Sequence, residues 1–597
     1  MMGNRGIGRT PSTWRIAVAL TVAALLVSSP ARATLKFGPI EIAGNLQSQN
    51  IVRHPDVDEY HFVQQRNTFR ARVDWDWLQR GKLIDRFNLP FIESAKLLLL
   101  YRGVYDSIYD YTPTLRERDF RGRKPGVLAV RDLGELSRDK LDALKFQNDL
   151  REAYVDLKLT DVPVSFRLGK QQIIWGEADD FRMLDRANPL DTSWHFIEEI
   201  PPPSFGWDDL RIPLWMLKGL WDVGNIGPLS NTFVEAYWNP GDWRPVKVGY
   251  LPQPWGLRIQ NPLTNHEDGA FFAPFRNPTT GGPLERLMNG TRLFGQGDYS
   301  RNPGDNSQVG VRASGVFPNG LQLSLNYFYQ RWAGDDGTPF TPVRGIPNDP
   351  AGNARTQDLL AKGTLPVEYI TPYIHTVGLS ANYFEGNYTQ TIFRLETVYD
   401  FGLYMLDRKK DTTFSPYLPG TTRKDYWKGM LAFDRPTWIR PLNKKTTFFI
   451  TGQWFIHHIM HNEDTLTTAL DLPTAGSRAH PFCGGPPNKP CTDPDGNGCF
   501  RDDVRSWESL ITLAIFTFYK GGSVVPLLGL IYDPVNSNSM YPFWNLDYLV
   551  TPNFIVNLTQ RYFIPGQSDV QKGVFDPWLL GTQRGRSETA LRLTYQF

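Results

Sequence analysis

The feature that most restricts the fold is a period of two in hydrophobicity, repeated along most of the chain. In residues 68–77, apolar or aromatic side chains occupy every odd position and polar or charged side chains occupy every even position. Successive side chains of a strand point to opposite faces, so this segment predicts a strand with one apolar and one polar face. An amphipathic helix would instead place apolar residues three and four positions apart. The last twelve residues, 586–597, show the same alternation.

Similar segments of roughly ten residues recur through the chain, the length expected of tilted strands that cross a membrane. We predict strands at 36–49, 68–79, 93–104, 147–160, 164–174, 211–222, 231–239, 307–317, 321–332, 375–384, 388–402, 425–434, 446–458, 507–519, 523–533, 541–551, 554–564 and 586–597. The fold class predicted is therefore all-β: a single transmembrane antiparallel β-barrel of about 18 strands, with 16 as the alternative.

The connections between these segments alternate between long and short. Tight turns are predicted at 160–163, 318–320, 385–387, 521–522 and 551–553, and long segments at 105–146, 175–210, 240–306, 333–374, 403–424, 459–506 and 565–585. This pattern predicts long extracellular loops at one rim and short periplasmic turns at the other. An array of soluble β-sandwiches also explains alternating strands, but it does not explain the sorting of loop lengths.

The N-terminus resembles a secretory signal peptide. Arg5, Arg9 and Arg15 precede an apolar core at 16–27, and Ala-Arg-Ala at 31–33 has the form of a cleavage site. The core is shorter than the roughly 20 residues that span a bilayer as a helix. We therefore predict a signal peptide at 1–33 that is cleaved after Ala33, and one barrel domain at 34–597 that resides in the bacterial outer membrane.

Charge and composition restrict the partners. Lys and Arg together number 64 and Asp and Glu number 62, so the net charge of +2 provides no field that would attract nucleic acid. Aromatic residues reach 13%, as expected of the aromatic girdles of a membrane barrel. Outer-membrane lipid is the predicted partner of the apolar face, and any selectivity must come from local charge placement.

The polar faces of the predicted strands would line the lumen. They carry Arg70, Arg72, Asp74, Asp76, Glu152, Asp156, Lys158, Arg167, Lys170, Arg394, Glu396, Asp547, Arg561, Glu588 and Arg592. Rings of charged side chains filter solutes in pores. Because both signs are present, these residues could equally form structural ion pairs across the lumen wall.

A second charged stretch follows the predicted strand at 164–174. Residues 175–191 contain Glu177, Asp179, Arg182, Asp185 and Arg186 and end at an Asn-Pro pair that disfavours helix. Two interpretations are open: the loop folds into the lumen and narrows it, or it braces the rim of the barrel.

The cysteines lie together in one Gly/Pro-rich segment. In an oxidising compartment two of them would pair, the candidates being Cys483, Cys491 and Cys499. The same segment has oxygen ligands in the order of a calcium loop, at Asp493, Asp495 and Asn497, but it lacks the glutamate expected at the twelfth position. A polar turn is therefore favoured over a calcium site, and no metal is predicted.

No local motif indicates catalysis. On a strand, His457 and His458 would point to opposite faces, so they cannot share a metal ion without a bend in the chain. There is no nucleotide-binding loop, metalloprotease motif or Ser/His/Asp order. The chain is predicted not to be an enzyme and to need no cofactor, although a site built from distant lumen residues would leave no local motif.

Several stretches resemble the bacterial barrel proteins grouped as domain-of-unknown-function 1302. They are 95–110, 151–191, 235–241, 306–314 and 433–438. The resemblance implies an outer-membrane barrel of unsettled cargo, similar to proteins suspected of helping apolar compounds or lipids cross the envelope alongside exporters. The C-terminal Phe597 also resembles the terminal residue of bacterial outer-membrane barrels, which implies recognition by the barrel-assembly machinery.

Together these features predict an outer-membrane channel or transporter for small molecules, apolar or lipid-like compounds included. Its lumen would be lined by charges and narrowed by an inserted loop. The alternative is a non-conducting barrel that acts as a binding or assembly component, with a periplasmic or exporter partner.

Overall fold

The structure, a computed structural model, describes most of the predicted strands and part of the connections. The described residues are 34–54, 60–79, 82–83, 87–111, 145–179, 181–190, 206–243, 294–296, 303–332, 343–361, 365–369, 371–407, 409–413, 420–463, 465–467, 499–500, 504–535, 538–564, 574–575, 580 and 587–597.

Within these residues, eighteen antiparallel strands form one closed barrel. They are β1 (Ile40–Arg53), β2 (His61–Gln79), β3 (Ile92–Asp106), β4 (Phe146–Leu159), β5 (Val164–Gln171), β6 (Leu214–Ile226), β7 (Leu229–Asn239), β8 (Gln308–Val316), β9 (Gln322–Arg331), β10 (Tyr373–Glu385), β11 (Thr391–Asp407), β12 (Gly420–Thr437), β13 (Phe448–Ile459), β14 (Trp507–Thr517), β15 (Val524–Tyr532), β16 (Met540–Thr551), β17 (Phe554–Arg561) and β18 (Glu588–Gln596). Each strand pairs with the next along the chain, and β18 pairs with β1. The predicted fold class and strand number are confirmed.

The remaining elements are short. The helices are α1 (Ile108–Tyr111), α2 (Gly206–Leu210) and α3 (Pro350–Ala361), with 3-10 turns at Pro303–Asn306 and Lys520–Gly522. Short strands lie at Leu35–Phe37, Lys82–Leu83, Phe87–Asn88, Phe294–Gln296, Val343–Gly345, Leu365–Tyr369, Leu466–Thr467, Cys499–Phe500 and Val574–Phe575. Among the described residues, no helix is both long and apolar enough to cross a membrane.

The two faces of the barrel wall differ as the alternation predicts. Large apolar side chains point outward from mid-strand positions, and Leu325 and Leu528 are each 60% exposed. In β18 the outward Leu591 is 38% exposed, whereas the inward Glu588 and Ala590 are each 1% exposed. An apolar outer wall around a polar interior is the arrangement of a transmembrane barrel.

We call the rim that carries the longer connections the long-loop rim and the opposite one the short-turn rim. Most connections follow the predicted alternation, but 54–60 and 533–539 are short at the long-loop rim, and 80–91 and 438–447 are longer than a turn at the short-turn rim. The predicted long segment at 403–424 shrinks to 408–419 because β11 and β12 extend into it. Antiparallel neighbours lie about 5 Å apart, so a few residues suffice to join them at either rim.

The barrel closes where β18 meets β1. The Gly44 N–H donates to the Phe597 carbonyl at 2.8 Å, and the Phe597 N–H donates to the Gly44 carbonyl at 3.0 Å. The Phe597 ring stacks on Phe69 with centroids 6.2 Å apart, and a Cβ on Gly44 would lie 2.5 Å from that ring. The terminal aromatic therefore fills the space that Gly44 leaves open at the seam.

We expect Phe597→Ala to slow assembly of the barrel. The substitution removes an aromatic contact worth about 1 kcal/mol at the seam between the first and the last strand, and leaves the lumen unchanged. The fraction of heat-modifiable folded protein recovered from membranes should fall, whereas Tyr388→Ala, which removes a 91% exposed aromatic from a turn between β10 and β11, should have no effect. Equal recovery of the two variants would contradict a special role for Phe597.

Candidate functional site in the lumen

Residues 172–190, described apart from residue 180 and here called the lumen segment, follow β5 and fold into the barrel. The Trp175 Nε1 donates to Glu235 Oε1 on β7 at 3.0 Å. The Phe181 ring meets the Phe455 ring of β13 edge to face, with centroids 5.2 Å apart. Because β13 lies far round the wall from β5, the segment crosses the lumen and does more than brace the rim.

Asn188 holds the two ends of the lumen segment together. Its Oδ1 accepts the N–H of Ile173 at 2.8 Å, and its Nδ2 donates to the carbonyls of Gln171 at 3.1 Å and Ile212 at 3.0 Å. One side chain thereby binds backbone groups at the end of β5 and just before the start of β6. The segment is therefore a closed loop pinned at its base.

Glu396 on β11 is the anchor for the tip of the segment. Its fully buried carboxylate accepts the backbone N–H groups of Glu177 at 2.6 Å, of Ala178 at 3.2 Å and of Leu184. Buried carboxylates need such donors, because an unsatisfied charge in the interior is costly. The sequence-predicted lumen residue Glu396 thus binds the protein's own backbone.

Arg394, two residues before Glu396, binds the same tip. Its Nη1 donates to the Glu177 carbonyl at 2.5 Å, and its Nη2 donates to Asp179 Oδ2 at 2.6 Å. Its Nε lies 2.7 Å from Asp434 on β12. Glu177 meets Arg394 and Glu396 through its backbone carbonyl and N–H.

The charged residues predicted in the loop also lie in internal pairs. Arg186 pairs with Asp400 and donates to Thr376 at 3.0 Å, and Asp400 lies 3.2 Å from Lys428 Nζ. Arg182 Nε also donates to the Asp185 carbonyl at 2.5 Å, and Arg211 Nε donates to Asp185 Oδ2 at 2.7 Å. The Arg186–Asp400 and Arg211–Asp185 ion pairs fix the position of the segment in the barrel.

Apolar side chains of the lumen segment fill one side of the lumen. Trp175, Met183 and Leu184 are at most 1% exposed. They belong to one cluster with inward-facing residues of the wall, which include Met216, Tyr237, Phe328, Val398, Met430, Phe455, Leu510, Leu527, Tyr541 and Phe543. This part of the lumen is a packed core.

On the other side, α2 is held against the wall by three arginines. Arg70 pairs with Asp209, Arg102 Nη1 donates to the Asp209 carbonyl at 3.0 Å, and Arg151 Nη2 donates to the Asp208 carbonyl at 2.5 Å. Burial alone would raise the pKa of Asp209, but the positive charges of Arg70, Arg102 and Arg151 outweigh it and lower the pKa below its ordinary value. Asp209 is therefore ionised at neutral pH.

We expect Asp209→Asn to loosen α2 from the wall. Removing one partner of a part-buried ion pair costs about 3 kcal/mol, so the amides of 206–210 should exchange hydrogen about 100-fold faster. The control is Asp222→Asn, near the end of β6, and equal exchange in both variants would show that Asp209 does not hold α2.

The lowered pKa of Asp209 also predicts how α2 responds to pH. The ion pairs of Asp209 are present above the ordinary carboxyl pKa and are lost only as the pH falls through the lowered value. Hydrogen exchange of 206–210 in the wild type, corrected for intrinsic rates, should thus not change between about pH 5 and 8.

Between the lumen segment and the short-turn rim lies a cavity of about 680 Å³. Gln172, Asp208 and Asp209 border it towards the segment, and Gly522 and Ser523 border it at the short-turn rim. Its other walls come from β1–β5 and from β15–β18. Among the described residues, its cationic lining consists of seven arginines, Arg70, Arg72, Arg102, Arg151, Arg167, Arg561 and Arg592, and its acidic lining of Glu152, Asp208, Asp209 and Asp547.

Most of the other sequence-predicted residues lie beside this cavity or near the rims. Lys170 is a correction: it starts from the outward face of β5, where it pairs with Trp215, whose side chain is 52% exposed. The pairs are Asp74 with Arg72 at 2.6 Å, Asp156 with Arg167 at 2.6 Å, Lys170 with Asp149 at 3.0 Å, Lys158 with Glu93 at 2.8 Å and Glu588 with Arg53 at 2.9 Å. Arg592 donates to Gln49 at 2.8 Å, and Asp76 lies on β2 opposite Lys96. Most of the predicted charges are thus held in pairs or hydrogen bonds.

Sequence reasoning missed Arg102, Arg151 and Asp209. A β-bulge leaves Arg151 without a partner residue on β3, since Leu100 pairs with Glu152 and Tyr101 pairs with Leu150. Both Arg151 and Glu152 therefore line the cavity. The adjacent polar pair that interrupts the alternation was the available signal. Asp209 lies in a segment without hydrophobic periodicity, so the sequence contains no signal that would identify it.

The cysteine and calcium predictions fall largely outside the described residues. Cys483, Cys491, Asp493, Asp495 and Asn497 are not among them, and the backbone of Cys499 pairs with Val574. The disulfide and the calcium alternative remain predictions. In the described part of the chain, no group of three or more metal-ligating side chains could hold a metal ion.

The histidines face opposite sides, as predicted. His457 points inward and its Nδ1 lies 3.3 Å from Glu508 Oε2. His458 stacks on Trp507 of β14, with centroids 3.9 Å apart. His458 thus acts as an aromatic residue near the long-loop rim.

Comparisons with known proteins give remote structural similarity and one family. The chain is similar to Pseudomonas aeruginosa OpdK, crystallised with vanillate (7% identity, 94% of this chain, 98% of that chain, TM-score 0.41). It is also similar to Acinetobacter baumannii OccAB3 (7%, 94%, 100%, TM-score 0.40) and to Salmonella typhi OmpF in complex with daunomycin (8%, 94%, 100%, TM-score 0.35). No curated protein matches the sequence. The family described as protein of unknown function DUF1302 matches residues 62–503, more than half of the chain, and the protein therefore belongs to that family.

Proposed function

We propose that the protein is an outer-membrane channel that passes small solutes through its lumen. The apolar outer wall suits a lipid bilayer, and the closed hydrogen-bonded strands leave no edge exposed to it. In a bacterial cell, such a barrel with the predicted signal peptide before it would belong in the outer membrane. The long-loop rim would face outward and the short-turn rim would face the periplasm.

The observation that carries the proposal is the division of the lumen. The apolar cluster around Trp175 closes one side, whereas the cavity of about 680 Å³ occupies the side formed by β1–β5 and β15–β18. A volume of this order accommodates a small organic molecule. A barrel with a purely structural lumen would have no need of a charged cavity at the short-turn rim.

In this proposal the two groups of charged residues have different roles. Glu396, Arg394 and Arg186 position the lumen segment, which sets the width of the passage. Arg70, Arg72, Glu152 and the other cavity residues provide the polar wall that a solute meets. The cavity also has apolar lining, which supports apolar or amphipathic compounds as part of the cargo.

Planar-bilayer recording with purified protein tests the proposal directly. We expect discrete conductance steps from the wild type and larger steps from a variant whose lumen segment has lost its anchor. If heat modifiability shows that both proteins are folded and neither carries a current, the proposed channel is contradicted. Liposome-swelling measurements with uncharged sugars of increasing size would then give the width of the passage.

A second candidate function is a non-conducting binding or assembly component of an envelope export system. The packed apolar cluster and the anchor at Glu396 favour it, because they hold the lumen segment firmly across the barrel. The ion pair of Asp209 with Arg70 likewise holds α2 against the wall. This function predicts a stoichiometric periplasmic or exporter partner in a pull-down after crosslinking, together with no solute flux in liposomes. Flux without a partner would favour the channel.

A further inference from the structure

We propose that the lumen cavity binds small organic acids with an apolar body, and that Arg72 and Arg167 hold the carboxylate on either side of Tyr154. This inference rests on the proposed function, since the site lies on the proposed passage. It adds a substrate class and names the residues that recognise it.

The two arginines each keep one edge of the guanidinium available. Arg72 uses Nε and Nη2 to bind Asp74, at 2.6 and 3.0 Å, and Arg167 uses Nε and Nη2 to bind Asp156, at 2.6 and 2.9 Å. A guanidinium has five N–H donors, so a bidentate carboxylate leaves the Nη1 edge for another acceptor. Among the described residues, neither Nη1 donates a hydrogen bond.

The two arginines border the cavity. Their side chains are 51% and 27% exposed although they point into the barrel. The paired aspartates hold the guanidinium planes in place, and such preorganisation reduces the entropy lost when a ligand binds. The ion pairs beside the cavity thus prepare the arginines for a ligand.

Tyr154 lines the same cavity as the two arginines. The Arg167 guanidinium stacks over its ring at 4.0 Å. Arg72 on β2 is opposite Leu100 on β3, which is opposite Glu152 on β4, two residues from Tyr154. The Tyr154 hydroxyl can donate to the same acceptor.

Apolar side chains complete the cavity. They are Leu98, Leu100, Ile174, Phe543, Leu549 and Ile555. A fully hydrated inorganic anion would gain nothing from these surfaces, whereas burial of an apolar body contributes about 25 cal/mol per Å². The combination of two arginine edges with apolar walls points to a ligand with one charged end.

The charge balance also favours an anion. The cavity lining has an excess of arginines over carboxylates, and cations remain in excess when the partners Lys96, Lys170, Asp74, Asp149 and Asp156 are counted. Of the four carboxylates that line the cavity, Glu152 is the nearest in sequence to Tyr154, and it accepts a hydrogen bond from Gln172 at 2.9 Å. Its charge lies near Arg151, Arg167 and Arg72.

Isothermal titration of the full-length protein in detergent tests the inference independently of conductance. Benzoate is the probe, benzamide keeps the body without the charge, and acetate keeps the charge without the body. We expect benzoate to bind at least about tenfold more tightly than either, which corresponds to about 1.4 kcal/mol. In bilayers, benzoate should also reduce the chloride current.

Three variants locate the site. Arg167→Gln with Asp156→Asn preserves the net charge and should weaken benzoate binding about tenfold. Tyr154→Phe, which removes only the hydroxyl, should weaken it by a smaller factor. Arg440→Gln, at an exposed turn beside Trp438, is the control and should bind benzoate as the wild type does.

The outcomes separate this inference from the proposed function. A wild type that conducts but binds benzoate no better than benzamide or acetate overturns the inference and leaves the channel intact. Unchanged binding in a folded Arg167→Gln/Asp156→Asn variant also overturns it. A wild type that binds benzoate selectively but carries no current supports the site and contradicts the channel.

Discussion

Replacing Gly169 by alanine is expected to prevent the barrel from folding. Gly169 adopts a φ of +139°, and a Cβ there would lie 2.2 Å from the Ala153 carbonyl oxygen and 2.6 Å from Tyr154 Cα. Both atoms belong to the backbone of β4, so relief of the clash requires separation of β4 from β5. We expect a loss of more than about 4 kcal/mol in the free energy of unfolding.

Gly219→Ala on the neighbouring β6 is the matched control. Its Cβ would lie 3.4 Å from the Phe166 ring, an ordinary contact, and Gly219 has no positive φ. Its free energy of unfolding should stay within about 1 kcal/mol of the wild type. Urea titration in detergent, followed by heat modifiability, measures both variants. A folded Gly169→Ala barrel of wild-type stability would show that the close approach at this position is unnecessary.

The second large effect is expected from Glu396→Ala. The substitution leaves three buried backbone N–H groups of the lumen segment without their acceptor. Each such group costs about 1–3 kcal/mol, so the tip should detach from β11 while the strand pairing of the barrel persists. We expect faster hydrogen exchange in residues 176–186 and, if the proposed channel is correct, a larger conductance.

Two variants serve as controls for Glu396→Ala. Glu463→Ala removes an equivalent carboxylate that is 60% exposed at the long-loop rim, and it should change neither exchange nor conductance. Glu396→Gln keeps an acceptor oxygen and should fall between the wild type and the alanine variant. If hydrogen exchange in the Glu396→Ala variant is as slow as in the wild type, then Arg394, Arg186 and the apolar cluster suffice to hold the segment.

The strand pattern was accessible from the sequence because it is a local property. Each strand exposes one face to lipid and one to the lumen, so alternation marks it wherever it occurs. The eighteen predicted segments correspond to β1–β18, although β2 begins at His61, several residues before its predicted start. The predicted strand ends were imprecise because the alternation of apolar and polar side chains is lost where a strand extends beyond the lipid.

The assignment of individual residues to the lumen held where alternation is regular and failed where it is not. Arg70, Arg72 and Arg592 line the cavity as the period of two predicts. Arg151 was not predicted to face the lumen, because a bulge shifts the register of β4 by one residue. A shift of one residue moves a side chain from one face of the strand to the other. Arg102 stands in a leucine-rich run, where the lumen-facing positions carry little polar signal.

A one-dimensional pattern could establish that the chain forms a single membrane barrel, and that charged residues face its interior. It could not establish which of those charges meet. Glu396 and the backbone N–H of Glu177 are 219 residues apart in sequence, and Arg53 and Glu588 are 535 apart. Such pairs exist only once the wall has closed and the lumen segment has crossed it. The division of the lumen into a packed core and a charged cavity was therefore decided by tertiary structure, because it depends on contacts that no local period encodes.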